Sequence, residues 1–201
     1  MQIKERIIEE SIELFRKQGI KSTTMDDIAK HIGISKRTIY ENFKDKESLL
    51  IEVVSTLFHE NKCWLDKVFA ESNNILEAVT VVLKAGVEHA HNYQFVIFED
   101  IKKYYPDVYR KNLVCNESEK RKDMEKLILL GIKQGVFRED LNPEIVSYLF
   151  TKQSNGLFFL AKEKDFEKYS IHDVFKNMTI AFIRGLCTQK GIEILENLVN
   201  D

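Results

Sequence analysis

The chain has 201 residues, 30 Lys and Arg against 32 Asp and Glu, and a net charge of −2. That length suits one small domain plus one medium one, and the near-balance of charge excludes a chain that binds nucleic acid by overall basicity. No stretch approaches the ~20 uninterrupted apolar residues of a membrane span, and the charged N-terminus lacks the apolar core of a signal peptide, so a cytoplasmic protein is expected.

Two prolines and eight glycines, among abundant Glu, Lys, Leu and Ile at helical spacing, predict an all-α chain. The first helix, about Gln2 to Gln18, aligns Ile8, Ile12 and Phe15 into an apolar stripe that serves as a scaffold. Thr24 then caps a helix from Met25 to Ile32, with Asp27 three residues on returning the bond. Gly33 and Ile34 make a tight turn, glycine because the left-handed conformation is needed there. Ser35 caps a second helix, Lys36 to Asn42, which keeps Ile39 for the core and presents Lys36, Arg37, Thr38, Tyr40 and Glu41 outward. That order of parts is a helix-turn-helix, whose second helix enters the major groove. Arg37 is placed for a bidentate pair with guanine, and Thr38, Tyr40 and Lys46 for phosphates. The expected DNA-binding set is Thr24, Lys36, Arg37, Thr38, Tyr40, Lys44 and Lys46. Each of these side chains also fits a plain solvated surface or local packing. Residues 1–50 hold ten basic and nine acidic side chains, so binding is expected to depend on a local patch with Lys30, and to weaken as salt rises.

From Ile7 to Leu50 the chain resembles the tetracycline-repressor (TetR) family of bacterial transcription regulators. The likeness is carried by Ile8, Ile12, Leu14, Phe15, Gly19, Thr23-Thr24, Ile28-Ala29, Gly33-Ile34-Ser35, Thr38-Ile39-Tyr40, Phe43 and Lys46-Glu47-Ser48-Leu49. Arg37 departs from it, since many members carry a small residue there, and this bears on base preference. The resemblance implies a three-helix DNA-binding domain over 1–47 and a helical effector-binding and dimerisation domain over 48–201. It further implies a homodimer on double-stranded DNA at a palindromic operator, released by a small-molecule effector. A nucleoid-associated or division-linked DNA-binding protein without a ligand switch is the alternative, separable by its number of genomic sites.

After Phe43, Asp45 caps a long helix to about Glu71, the expected mechanical link between the domains. Further helices are expected at about Asn74 to Asn92, Gln94 to Tyr104, Asp107 to Gly135, Pro143 to Lys164 and Ile171 to Gly191, with a short last one to Asn200. The run NESEKRKDMEK at 116–126 alternates acids and bases and reads as a solvated helix face. The middle helices carry aromatics with a few polar groups. As an effector pocket for an apolar or amphipathic molecule these would be Phe58, Asn61, Trp64, His89, Tyr93, Phe98, Tyr104 and Phe137. The same residues fit an ordinary core. Leu149, Phe150, Gln153, Leu157, Val174, Met178 and Phe182 give the last two long helices more apolar surface than one core-facing side needs, so they are the expected dimer interface. Their alternative is intramolecular core.

No cofactor and no metal site is expected: His89 and His91 stand at i and i+2, which point about 200° apart on a helix. Cys63, Cys115 and Cys187 are widely spaced without a CxxC pair, which suits a reducing compartment. No phosphate-binding glycine loop, GxSxG elbow, HExxH or coherent triad occurs, so no enzyme is expected.

Overall fold

Caps decide where the helices of this protein begin. The computed structural model describes residues 2–89, 94–160 and 168–200, apart from the side chains at 86–89, 94–96, 98–99, 112–116, 157–160, 171–172 and 200. Its helices are α1 (Ile3–Gln18), α2 (Met25–Ile32), α3 (Lys36–Asn42), α4 (Lys46–Glu71), α5 (Ile75–His89), α6 (Gln94–Tyr104), α7 (Pro106–Lys133), α8 (Pro143–Leu160), α9 (Ile171–Leu186) and α10 (Gln189–Asn200). Among the described residues there is no strand, only an isolated antiparallel bridge between Phe137 and Cys187. No helix among them is long and apolar enough to cross a membrane.

The chain divides into two compact units, Met1–Trp64 with His91–Cys115, and Leu65–Ala90 with Asn116–Asp201. The boundary expected at 47/48 falls in the first turn of α4, whereas the units part at 64/65. The reason is apolar: Val53, Val54 and Leu57 of α4 belong to the first core, as do Ile97 and Ile101 of α6 and Val108 of α7.

In the first unit, α1 buries Ile7, Ile8, Ser11, Ile12, Leu14 and Phe15. These pack against Ile28, Ala29 and Ile32 of α2 and Ile39 of α3. Arg6 Nη2 reaches across to the Ile32 carbonyl at 3.0 Å, satisfying an acceptor in the last turn of α2.

In the second unit, Asn74 Oδ1 caps α5 by accepting from the N–H groups of Leu76 and Glu77, both at 3.0 Å. Asn142 Oδ1 does the same for α8 through Ile145 N–H at 3.1 Å. The helix expected to run from Ile171 to Gly191 is broken at Cys187, which is extended at φ −69°, ψ 146°. Thr188 makes the break: its N–H donates to the Val136 carbonyl at 2.9 Å, and its Oγ1 accepts from Gly191 N–H at 3.1 Å to start α10. Phe137 lies in this unit's core with Ile75, Leu76, Ile183, Leu186 and Leu195.

Candidate nucleic-acid interface

The turn between α2 and α3 closes as its residues require. Thr24 Oγ1 accepts from Asp27 N–H at 3.2 Å, and Thr24 N–H donates to Asp27 Oδ2 at 2.9 Å, a reciprocal capping box. The Thr24 hydroxyl, which also donates to Asp27 Oδ2, and then the Thr24 N–H hold the Asp27 carboxyl below the usual carboxylate range. Gly33, at φ 76° and ψ 33°, ends α2 with its N–H on the Lys30 carbonyl at 3.3 Å, and Ile34 N–H donates to the Ala29 carbonyl at 3.0 Å. That pair of bonds is a Schellman motif, which only a residue comfortable in the left-handed region supports. Ser35 Oγ then accepts from Thr38 N–H at 3.0 Å and starts α3.

Ile39 is fully buried, so the rotation of α3 about its axis is fixed and the opposite arc faces water. Arg37 is 88% exposed, with Nε donating to Glu41 Oε1 at 2.7 Å one turn on. Lys36 pairs with Asp26, which raises its pKa by that hydrogen bond first. Tyr40 is half exposed and Lys44 is exposed. Both cations thus stand in water beside a carboxylate, and a phosphate can displace a surface partner of that kind readily. Thr38 is half-buried, its Oγ1 shared with Ser35 Oγ at 2.8 Å.

Two members of the expected DNA-binding set are engaged within the chain, Thr24 while exposed and Lys46 while half-buried. Thr24 spends its hydroxyl on the cap, donating to Asp27 Oδ2 at 2.6 Å as well as accepting. Lys46, expected to meet a phosphate, has its ammonium engaged by the protein itself. Its ammonium donates to the carbonyls of Ile20 and Thr23, beside the rings of Phe15 and Tyr105. Burial pushes its pKa down, opposed by Asp100 and Asp27. The physical reason is its position at the first turn of α4, where the α1–α2 loop offers carbonyls that water does not reach.

The expected effector set is divided between the units. Phe58 packs on the first core, Asn61 is exposed, Trp64 is half-buried, and Tyr104 lies under Lys21 Nζ at 5.2 Å from its ring centroid. Phe137 belongs to the core of the second unit at 2% exposure, where the missing side chain of Gly131 makes room for its ring. Tyr93 lies outside the described residues, as do the side chains of His89 and Phe98.

Of the expected dimer residues, Leu149 and Gln153 are exposed, while Val174 and Met178 are half-buried. Phe150 and Phe182 pack within the chain as a tilted pair with ring centroids 5.1 Å apart, and the Leu157 side chain lies outside the described residues. Ile145 and Tyr148 join Leu149 on the exposed face of α8. Among the described residues no three His, Cys, Asp or Glu side chains gather as metal ligands. Cys187 is buried, which pushes its thiol up to about 11, and Cys63 is exposed. Sequence reasoning missed Asp100 as a partner of the reading head, because nothing near it in sequence marks an acceptor needed 80 residues earlier.

The profile of the family described as "Bacterial regulatory proteins, tetR family" matches residues 7–53. YhgD of Bacillus subtilis, an uncharacterized HTH-type transcriptional regulator, is 30% identical over 200 residues, spanning 94% of this chain and 96% of that one. The HTH-type transcriptional repressor KstR2 of Mycolicibacterium smegmatis is 28% identical over 162 residues, 75% of each chain. Among solved structures, a transcriptional regulator from Cytophaga hutchinsonii has the same fold, with a TM-score of 0.78 at 18% identity over 92% of this chain and 98% of that one.

Proposed function

Because the chain belongs to the tetR family of bacterial regulatory proteins, we propose that it is a homodimeric repressor that leaves a palindromic operator when a small molecule binds residues 48–201. It is a DNA-binding transcriptional regulator. The observation that carries the finer reading is the outer arc of α3. Lys36, Arg37 and Tyr40 stand exposed on a short helix whose start and rotation are fixed by Ser35 and Ile39, and Gly33 sets the turn that leads into it. Such preorganisation suits base reading, since the side chains need no ordering of the backbone on binding.

Lys36, Arg37, Thr38, Tyr40 and Lys44 are the proposed DNA contacts. Thr24 contributes through the cap that sets α2. Two recognition helices held roughly 34–36 Å apart would reach successive major grooves, which favours a palindrome. The exposed Ile145, Tyr148 and Leu149 of α8 support a second copy as what covers that face. Phe58, Trp64 and Tyr104 are the described aromatics proposed to meet an apolar or amphipathic effector. A coupling of about 1–3 kcal/mol between effector and DNA is typical, and it obliges DNA to weaken effector binding by the same factor.

The test is selection of bound fragments from the source genome by the purified protein, beside a Lys36→Ala/Arg37→Ala/Tyr40→Phe variant. One or a few intergenic palindromes, lost in the variant, are the expected outcome. Dozens of dispersed sites would instead favour an architectural DNA-binding protein without a ligand switch. An effector that binds and leaves operator affinity unchanged would remove the switch and keep the DNA reading.

A further inference from the structure

Ile20 lies in the loop between α1 and α2, and both polar groups of its backbone are held by distant side chains of the same unit. Its N–H donates to Asp100 Oδ2 of α6 at 2.8 Å. Its carbonyl, with that of Thr23, accepts from the Lys46 ammonium at the start of α4. Ile20 and Thr23 are fully buried, and Thr23 Oγ1 donates to the Gly19 carbonyl at 2.8 Å, closing the loop on itself. Gly19 permits the approach: its φ of 78° suits glycine, and a Cβ there would stand 3.3 Å from Asp100 Oδ2. On α6, Asp100 is next to Ile101 and three residues from Ile97, both buried in the core that carries the helix-turn-helix.

We propose that Asp100 and Lys46 are positioning residues for DNA binding: gripping Ile20 by its N–H and its carbonyl, they fix the α1–α2 loop and hence the angle at which α2 and α3 meet DNA. The chain from Ile20 to the Thr24 cap is only four residues long, so a shift of the loop passes directly into α2. Hydrogen bonds to charged groups are about twice as strong as neutral ones, and a buried N–H left without its partner loses its full solvation. Burial of the Lys46 ammonium is offset by the same two carbonyls and by the attraction of Asp100 and Asp27. The clamp therefore works as a unit. It makes the reading head depend on where α6 stands, although α6 begins 52 residues after α3 ends.

The functional half of this inference rests on the DNA reading above; the exchange of the Ile20 amide does not. With the full chain and a fragment recovered in the genomic selection, Asp100→Ala is expected to weaken binding roughly tenfold or more. Asp100→Asn, which keeps an acceptor for Ile20 N–H, is expected to recover most of that loss. Hydrogen exchange at the Ile20 amide is expected to accelerate on the order of tenfold in Asp100→Ala and not in Asp100→Asn, with amides in the middle of α1 unchanged. Lys46→Met is expected to lower affinity while leaving the slope of log affinity against log salt as in the unaltered protein. A slope smaller by about one would make Lys46 a phosphate contact and overturn its half of the clamp. Wild-type affinity and Ile20 exchange in Asp100→Ala would overturn the other half, as would an Asp100→Asn variant no better than Ala. Failure of the unaltered protein to select any fragment, with metabolite extract added as well as without, would sink the DNA reading, and Ile20 exchange would still decide the clamp.

Discussion

Arg37 is bound to Glu41 on its own helix, and that pair sets what a substitution there reveals. The guanidinium is 88% exposed, so leaving the carboxylate for a guanine exchanges one weak surface pair for a bidentate base contact. Arg37→Ala is therefore expected to cost about 1–3 kcal/mol on the selected site and to relax preference at one base pair, measured by titrating single-base variants of that site. Tyr40→Phe removes only a hydroxyl suited to phosphate, so it is expected to weaken all sequences alike. Equal losses on the selected site and on random DNA for Arg37→Ala would demote Arg37 to a backbone contact. Asp27 gives a prediction of a different kind. Its carboxyl is held below its ordinary value of 3.8, first by the Thr24 hydroxyl and then by the Thr24 N–H. A depressed folded-state value means the stabilisation is complete above that ordinary value and is lost as pH falls through the lower one. The melting-temperature gap between the unaltered protein and Asp27→Asn is expected to be full at neutral pH and to narrow below pH 3.8. A gap that stayed constant into that acid range would show that the cap does not depend on the carboxylate charge.

Helix starts are governed by residues within four positions of the N–H groups they satisfy, and this is why they were legible in the sequence. Thr24, Ser35, Asp45 and Asn142 each cap the helix expected of them. Gly33 likewise announced the end of α2. The interruption after Leu186 was not legible as a helix end, because the bridge that stabilises it comes from Val136 and Phe137, about fifty residues away in sequence. Phe137 looked like a pocket aromatic for a related reason: only the fold brings its ring over Gly131. Lys46 read as a surface cation because its sequence neighbours are polar, and the carbonyls that engage it lie in the α1–α2 loop. Gly131 turns this into a measurement. Helix propensity alone predicts a gain of up to about 1 kcal/mol for Gly131→Ala within α7. However, the new Cβ would lie 2.2 Å from Phe137 Cδ2, and that ring is enclosed by Leu76, Ile183 and Leu186. Overpacking of this kind costs about 1–3 kcal/mol, so the net sign is expected to be destabilising, seen as a melting temperature lower by several degrees. A higher melting temperature would mean that the second core has slack around Phe137.

Among the described residues α8 carries two apolar faces, and only one of them is covered. Val146 packs on the core of the second unit and Phe150 packs against Phe182 as a tilted pair, whereas Ile145, Tyr148 and Leu149 are 57%, 47% and 54% exposed. Positions i, i+3 and i+4 share one side of a helix, so these three form a continuous patch that water must wet unless another surface covers it. A second copy is the economical occupant for a regulator whose proposed operator is palindromic, because a two-fold axis through the α8 patch sets the same patch against itself. Leu149→Arg places two like charges near that axis, and each would have to be buried without a partner. The expected outcome is a monomer by sedimentation, with the melting of the first unit unchanged, since Leu149 takes no part in that core. On a full palindrome the monomer is expected to bind at least ~10²-fold more weakly, because the second recognition helix no longer benefits from the high effective concentration that linkage provides. On an isolated half-site its affinity should match that of the unaltered protein, which separates loss of pairing from damage to α3. If Leu149→Arg remains a dimer, the α8 patch is not the interface. If it becomes a monomer yet keeps full affinity for the palindrome, the two recognition helices do not read the site together, and the spacing of two linked heads could not be what an effector changes.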